Sequence, residues 1–420
     1  MMTFEELQTL VAHCTKPAGP SLYRTLYRMD TGSPARAIRT WDEWRLLPFL
    51  TKDSMLATPL AERTFASGYD TDHLRPSSGT SGKPPLFSPR TYLRGMEYRA
   101  QYYDFKGAML AFTVPAMPHW HEYFQTSRGH IPRVVVFDPK NARASVRLAR
   151  AAGVEAISTF AYHIRPIGDL MQKEDIAKNI RFIEICGEAC THALFEYMRR
   201  VFPQATILPF YGSSEVEDSP IGVPCRPITG EEPLAVYHAK GHRLHELIEP
   251  ETGALVEPEA GAEGELVVTA YPGEPSALPL VRFRTGDTVR VVESKCPRHH
   301  TWSFTVVGRV ELDFIKVPGG VLRADEAERV MRLLGDRVSD RFQLHTYERE
   351  TSKGSKIQVE ISVEVKEGTD LSLLATDIAR HLRVNPSLTY AEGVTNGRYL
   401  PLVCTPFNPP VGKIKRLVAH

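Results

Sequence analysis

The chain has 420 residues, 42% apolar and 24% charged, with a formal net charge of +1 at pH 7. That length is too great for one small core and calls for two or three packed units. The near-zero charge argues against a field that would attract nucleic acid or an anionic membrane, and the most apolar run, AMLAFTVPAM, is too short to span a bilayer and contains a proline.

The N-terminal stretch MMTFEELQTLVAHCTK is acidic and amphipathic and lacks the pattern of a signal peptide. The cysteines at 14, 186, 190, 225, 296 and 404 are scattered, unlike a disulfide framework. A cytoplasmic location, with no nucleic-acid or membrane partner, is the resulting expectation. Residues Phe4 to His13 and Trp41 to Phe49 read as short helices, and RTYLRGMEYRAQYYDF has helical spacing. The apolar runs AMLAFTVP, RVVVFDP, VEAISTF and IRFIEICG are separated by helical stretches such as Asn141 to Ala152. This alternation predicts an α/β sheet, largely parallel. ELVVTAYP and VVGRVELDFIKV read as antiparallel strands. The last quarter differs: two amphipathic helices, ADEAERVMRLLG and DLSLLATDIARHLR, flank two alternating segments, RFQLHTYERE and KIQVEISVEV, joined by a turn. We expect a large domain over 1–309 and a small α+β domain over 310–420.

The stretch RPSSGTSGKPPLF, Arg75 to Phe87, looks built to hold a phosphate. Gly79 and Gly82 let successive backbone N–H groups face one anion. Ser77, Ser78, Thr80 and Ser81 add hydroxyl donors, and Lys83 adds a mobile charge. Pro84 after the lysine departs from the usual P-loop, and a solvated Ser/Gly turn is the plain alternative. In FYGSSEV, Tyr211 suits packing on a base and Glu215 suits Mg²⁺ against a triphosphate. In VRFRTGD, Asp287 suits the two hydroxyls of a ribose, against the alternative of a turn residue. VVGRVELD and PPVGKIKR complete the set; taken singly, Lys413 reads as a solvated lysine.

The order of these motifs resembles the adenylate-forming superfamily: acyl-CoA synthetases, peptide-synthetase adenylation domains and luciferases. ICGEAC, YGSSEV and the ending VGKIKRLV look most like the phenylacetate-CoA ligase branch. The resemblance covers about four-fifths of the chain, from the loop to the C-terminus. It implies a large domain of α/β sheets with a distorted β-barrel-like part, and a small mobile C-terminal domain. It implies that Ser77 to Lys83 cradle the pyrophosphate end of ATP, and that Gly187, Glu188 and Tyr211, followed by Gly212, lie against the adenine. Ser214 and Glu215 would face the α-phosphate and Mg²⁺, Asp287 and Arg309 would bind the ribose, and Lys413 would reach the site from the small domain. The activity implied is an AMP-forming ligase that turns a small carboxylic acid, aryl or acyl, into an acyl-adenylate and passes it to coenzyme A. A carrier-protein phosphopantetheine, a protein side chain or an amine are the alternative acceptors, and a homodimer is a candidate assembly.

Two departures matter. Val310-Glu311 stands where the hinge normally carries x-Asp, and ELDFIKVPGG carries one extra residue, leaving Lys316 as either a ligand contact or a strand-edge lysine. The branch also implies a structural zinc site, here Cys225, His238 and Cys296, with His299 or His300 replacing a cysteine whose position is Arg298. His242 and His245 compete for the histidine role, and a buried cysteine beside surface histidines is the plain alternative. Finally, His119, Trp120 and His121 sit where the superfamily lines its acyl pocket; a helix start with Trp120 in the core reads equally well.

Overall fold

The computed structural model describes residues 2–30, 33–65, 74–76, 86–89, 104, 106–112, 133–187, 190–213, 215–216, 220–239, 243–270, 277–297, 299–309, 314–317, 320–351, 354–385, 387–408, 414 and 416–419. The expected helix over 90–105 lies outside them except for Asp104. The chain divides into two units. Met1–Cys190, Tyr197–Thr285 and Val289–Val306 form the first; Thr191–Glu196, Gly286–Thr288 and Val307–His420 form the second.

The first unit opens with the helix Phe4–Thr15, started by a reciprocal capping box between Thr3 and Glu6. It buries Leu7, Leu10, Val11 and Cys14, the spacing of a single apolar stripe. The helix expected over Trp41 to Phe49 stops at Arg45. Pro48 explains this, because the residue before a proline is pushed out of the α region. A further short helix, Lys52–Leu56, begins with a capping box between Thr51 and Ser54. Strands β1 (Leu74–Pro76) and β2 (Phe87–Pro89) form an antiparallel ribbon in the register Leu74↔Pro89 to Pro76↔Phe87. The two ends of the Ser/Gly-Lys loop are thereby held side by side.

The runs expected as parallel strands are β3 (Ala108–Phe112), β4 (Val134–Phe137), β5 (Val154–Phe160), β6 (Phe182–Cys186) and β7 (Thr206–Phe210). They form one sheet, ordered β4-β3-β5-β6-β7, with every neighbouring pair parallel. Helices Ala142–Ala151, Ile164–Lys173 and His192–Val201 lie between the strands in sequence. All of β5 except Glu155 is buried, as expected of a strand covered on both faces. Gly153, at φ +65°, ends the first of these helices in the left-handed conformation that glycine adopts without steric cost.

The part expected to be barrel-like is a seven-stranded sheet of β8 (Gly222–Pro224), β9 (Tyr237–Ala239), β10 (Arg243–Ile248), β11 (Leu255–Val256), β12 (Glu263–Ala270), β13 (Leu280–Glu293) and β14 (Ser303–Arg309). Its order is β11-β10-β12-β13-β14-β9-β8. Leu247, Leu266, Val268, Val281, Phe283 and Phe304 enter one core with Leu7, Leu10 and Trp44 from the N-terminal helices and Leu50 from the segment between two of them.

In the second unit, β15 (Phe314–Val317) and β16 (Gly320–Arg323) form a hairpin. VVGRVELDFIKV contributes to both β14 and β15, with residues 310–313 between them outside the described ones. Strands β17 (Val338–Thr351) and β18 (Gly354–Val365) make the long antiparallel pair expected from sequence. A ribbon of β19 (Arg383–Asn385) and β20 (Leu388–Thr389) follows. Strands β21 (Val403–Pro406) and β22 (Leu417–Ala419) then join the outer edges of the long pair in parallel. Helices Ala324–Leu333 and Leu371–His381 contribute Ala327, Val330, Leu374 and Ile378 to this unit's own core, beside Leu344, Val359 and Ile361. Among the described residues, no helix is long and apolar enough to cross a membrane.

Candidate active site

The loop residues Ser77, Ser78, Gly79, Thr80, Ser81, Gly82 and Lys83 lie outside the described residues. So do Glu188, Ser214, Lys413, His242 and the cluster His119, Trp120 and His121. The side chains of Arg309 and Lys316, on β14 and β15, are also outside them. The remaining expected site residues can be placed.

The motifs ICGEAC and FYGSSEV leave the carboxyl ends of neighbouring parallel strands, β6 and β7, where Cys186 stands opposite Phe210. Crevices at such ends are where open α/β sheets bind ligands. Gly187 follows β6 at φ +86°, and a Cβ there would run into the Phe160 ring. The backbone turn after β6 therefore requires glycine.

Tyr211 pairs with Gly222 through a β-bridge, and Gly222 N–H donates to the Tyr211 carbonyl at 3.0 Å. Its ring is buried, 5.7 Å from Tyr237 and 5.9 Å edge-on to Phe304. Burial, and then the thiols of Cys190 and Cys186, push the Tyr237 phenol well above the ordinary tyrosine range.

After Tyr211 the chain turns through Gly212 to Ser213 and Glu215. The Ser213 hydroxyl donates to Glu215 Oε2, and the Glu215 N–H donates back to Ser213 Oγ at 3.3 Å. The other carboxylate oxygen, Oε1, is 3.2 Å from the Lys52 ammonium, and only 11% of the Glu215 side chain is exposed. Burial opposes ionisation of Glu215; the Ser213 hydroxyl and the Lys52 charge outweigh it, so the carboxyl lies below the usual range. A buried, ionised carboxylate whose oxygen already faces a cation has the hard donor chemistry that Mg²⁺ takes.

Neither Lys52 nor Ser213 stood out in the sequence. One signal was available for Lys52: it is the first residue of a helix, where a positive charge opposes the helix dipole.

Strand β13 carries the third motif. Asp287 on it is buried. Arg282, 3% exposed, pairs with the buried Glu246 at 3.2 Å. It also donates to the carbonyls of Arg45 and Leu47 and lies 4.2 Å over the Phe49 ring.

A second constellation lies in the same unit. The ligand atoms of Cys225, His238 and Cys296, all buried, are within 4.8 Å of one another. Cys225 Sγ and Cys296 Sγ are 3.9 Å apart. Two sulfurs about 2.3 Å from one tetrahedral Zn²⁺ would be separated by about 3.8 Å, so the spacing fits such an ion. Cys296 N–H donates to the Thr301 carbonyl at 2.8 Å, and His300 N–H donates back to Cys296 at 2.8 Å. This tight turn leaves His299 exposed with its ring centroid 4.1 Å from that of His238, but its ligand atoms stay outside the Cys225, His238 and Cys296 group. His300, at φ +55°, makes the turn itself and is exposed. His245 does not join the group. It is buried on β10, edge-on to Phe304 at 5.6 Å, and among the described residues neither ring nitrogen has a hydrogen-bond partner. Burial, then the charge of Arg243 and the presence of His238, push its pKa down to about 3.

The sequence matches no family model and no curated protein. Its structure, however, matches those of adenylate-forming ligases. A 2-hydroxyisobutyryl-CoA ligase, crystallised in its postadenylation state with an acyl-AMP, superposes with a TM-score of 0.69 at 12% identity, covering 99% of this chain and 88% of that one. An acyl acid amido synthetase gives 0.65 at 14% identity, covering 99% and 91%. The O-succinylbenzoate coenzyme A synthetase of Bacillus subtilis, with ATP and magnesium, gives 0.57 at 17% identity, covering 83% and 69%. The chain thus has the fold of the adenylate-forming ligases over nearly its whole length.

Proposed function

We propose that this protein is an AMP-forming carboxylate ligase that activates a small carboxylic acid as its acyl-adenylate and transfers the acyl group to coenzyme A. One observation carries the reading: in a chain of this fold, the motif expected to meet Mg²⁺ leaves the carboxyl end of β7 and presents the buried Glu215, its carboxylate paired with Lys52.

The chemistry follows from charge. A carboxylate at neutral pH is too poor an electrophile for a thiol to attack. Its oxygen can instead attack the α-phosphorus of ATP, releasing pyrophosphate and leaving AMP as the leaving group of a mixed anhydride. Two anions must meet in that step, so positive charge and preorganised N–H donors lower its barrier. Glu215, with Ser213 behind it, would hold the Mg²⁺ that neutralises the phosphates. The turn at Gly187 and the cluster around Tyr211 would bound the adenine, and Asp287 and Arg309 would take the ribose hydroxyls. Ser77 to Lys83 would cover the pyrophosphate end, and Lys413 would meet the charge developing at the α-phosphate.

The finer assignment is to the phenylacetate-CoA ligase-like branch, supported by ICGEAC, YGSSEV and VGKIKRLV together with the Cys225, His238 and Cys296 group. We assign a structural zinc to these three buried ligands, with His299, beside His238, turning in to supply the fourth when the ion is bound. An amine acceptor is the second reading, favoured by the likeness to an acyl acid amido synthetase. Measuring AMP release from one activated acid with coenzyme A, a carrier protein and a set of amines decides the acceptor. Faster release with coenzyme A than with the other two is expected; release that responds only to an amine reassigns the enzyme.

A further inference from the structure

Lys52 and Glu215 belong to distant parts of the sequence, yet their side chains meet at 3.2 Å with 21% and 11% of their surfaces exposed. An ordinary surface ion pair joins two mobile, solvated side chains and contributes little. This pair differs in how the lysine is delivered. On its N-terminal side, the Leu50 N–H donates to the Arg282 carbonyl at 3.0 Å, and the Arg284 N–H donates to the Leu50 carbonyl at 2.9 Å. The segment just before is clamped by Arg282, which binds the Arg45 and Leu47 carbonyls and covers the Phe49 ring. On the other side, the Thr51–Ser54 capping box fixes the start of the helix. A lysine at this first helical position works against the dipole, so helix formation does not account for its presence. The anchors aim it at one oxygen of Glu215, while Ser213 holds the other.

We propose that Lys52 is a positioning residue of the adenylation site: its ammonium holds the Glu215 carboxylate in the orientation that receives the metal–nucleotide complex. The stretch Phe49 to Lys52 is thereby part of the site, tied to β13, the strand that runs on to Asp287. This inference rests on the proposed ligase reading.

The test measures metal–nucleotide binding apart from turnover. Mn²⁺ with α,β-methylene-ATP is titrated into the full-length protein, and bound manganese is followed by electron paramagnetic resonance. Lys52→Met is expected to weaken this binding by at least about tenfold. Lys52→Arg, which keeps the charge, should recover it to within about threefold of wild type. Thr51→Ala leaves both partners of the pair in place but loosens the helix start, and should fall between the two. Circular dichroism shows whether each variant is folded. If Lys52→Met binds like wild type, or Lys52→Arg is as weak as Lys52→Met, the positioning role is overturned. Should Lys52→Met fail to fold, wild-type binding by Thr51→Ala overturns it instead. A wild-type protein that binds no manganese–nucleotide complex brings down the ligase reading and this role together, whereas a binding wild type with an indifferent Lys52→Met removes only the role of Lys52.

Discussion

Tyr237 and His238 are consecutive residues of β9 that serve two different clusters. The Tyr237 ring packs 5.7 Å from Tyr211 at the end of the parallel sheet. The imidazole of His238 joins Cys225 and Cys296 and lies 4.1 Å from the His299 ring. Successive side chains of a strand point to opposite faces, so one short strand ties the cysteine–histidine group to the aromatic wall beside the expected adenine site.

If that group holds zinc, its loss should be felt on both faces of β9. The purified protein is expected to contain one zinc per chain by emission spectrometry. Cys296→Ser should lose it, with stability falling by at least about 2 kcal/mol in denaturant unfolding. Nucleotide binding should weaken as well, through Tyr237. A protein free of metal whose stability is untouched by Cys296→Ser contradicts the assignment.

Gly187 is a tight backbone position of the site. Its positive φ and the nearby Phe160 ring leave no room for a methyl group. Gly187→Ala should destabilise the protein by about 1–3 kcal/mol, and adding Phe160→Leu should recover part of that loss by removing the clash. Thermal melts of the single and double variants check this. An unchanged melting temperature in Gly187→Ala would show that the turn tolerates a side chain.

Arg282 and Glu246 form a buried pair at 3.2 Å. Breaking such a pair from one side strands a charge, at a typical cost of about 3–5 kcal/mol. Arg282→Met also removes the clamp on the Arg45 and Leu47 carbonyls. It should therefore destabilise the first unit more than Glu246→Gln does, a ranking that urea unfolding of the two variants reads directly.

His245 makes stability depend on pH. Its pKa falls from 6.5 to about 3 on folding, chiefly through burial. Between those values the unfolded chain binds a proton that the folded chain refuses. The folded state keeps its full advantage above pH 6.5 and loses it as the pH falls, by up to about 1.4 kcal/mol per unit. His245→Phe should flatten the stability profile from pH 6.5 down to pH 5, measured by urea unfolding at several pH values. An equal slope in wild type and variant rejects this source.

Signals confined to a few consecutive residues were legible in the sequence. VEAISTF is strand β5, and RFQLHTYERE with KIQVEISVEV gave the long pair β17–β18, because apolar runs and alternation report burial directly. The motifs FYGSSEV and VRFRTGD marked the turn after β7 and the strand β13. Relationships between distant residues were legible only where the family resemblance carried them, as for Cys225, His238 and Cys296. Nothing near Lys52 announces Glu215, and nothing in VRFRTGD shows that Arg282 grips the chain at Arg45 and Leu47. The choice among the histidines needed the fold as well. His245 and His238 look alike in sequence, but the sheet sends one into an aromatic core and the other to two cysteines.

The most direct measurement of the central claim is carboxylate-dependent exchange of labelled pyrophosphate into ATP, run on wild type and Glu215→Ala with a panel of aryl and short acyl acids. Formation of an acyl-adenylate predicts exchange that appears only with certain acids and falls by at least about a hundredfold in Glu215→Ala. Exchange that is absent across the panel, or undiminished in Glu215→Ala, would contradict the account.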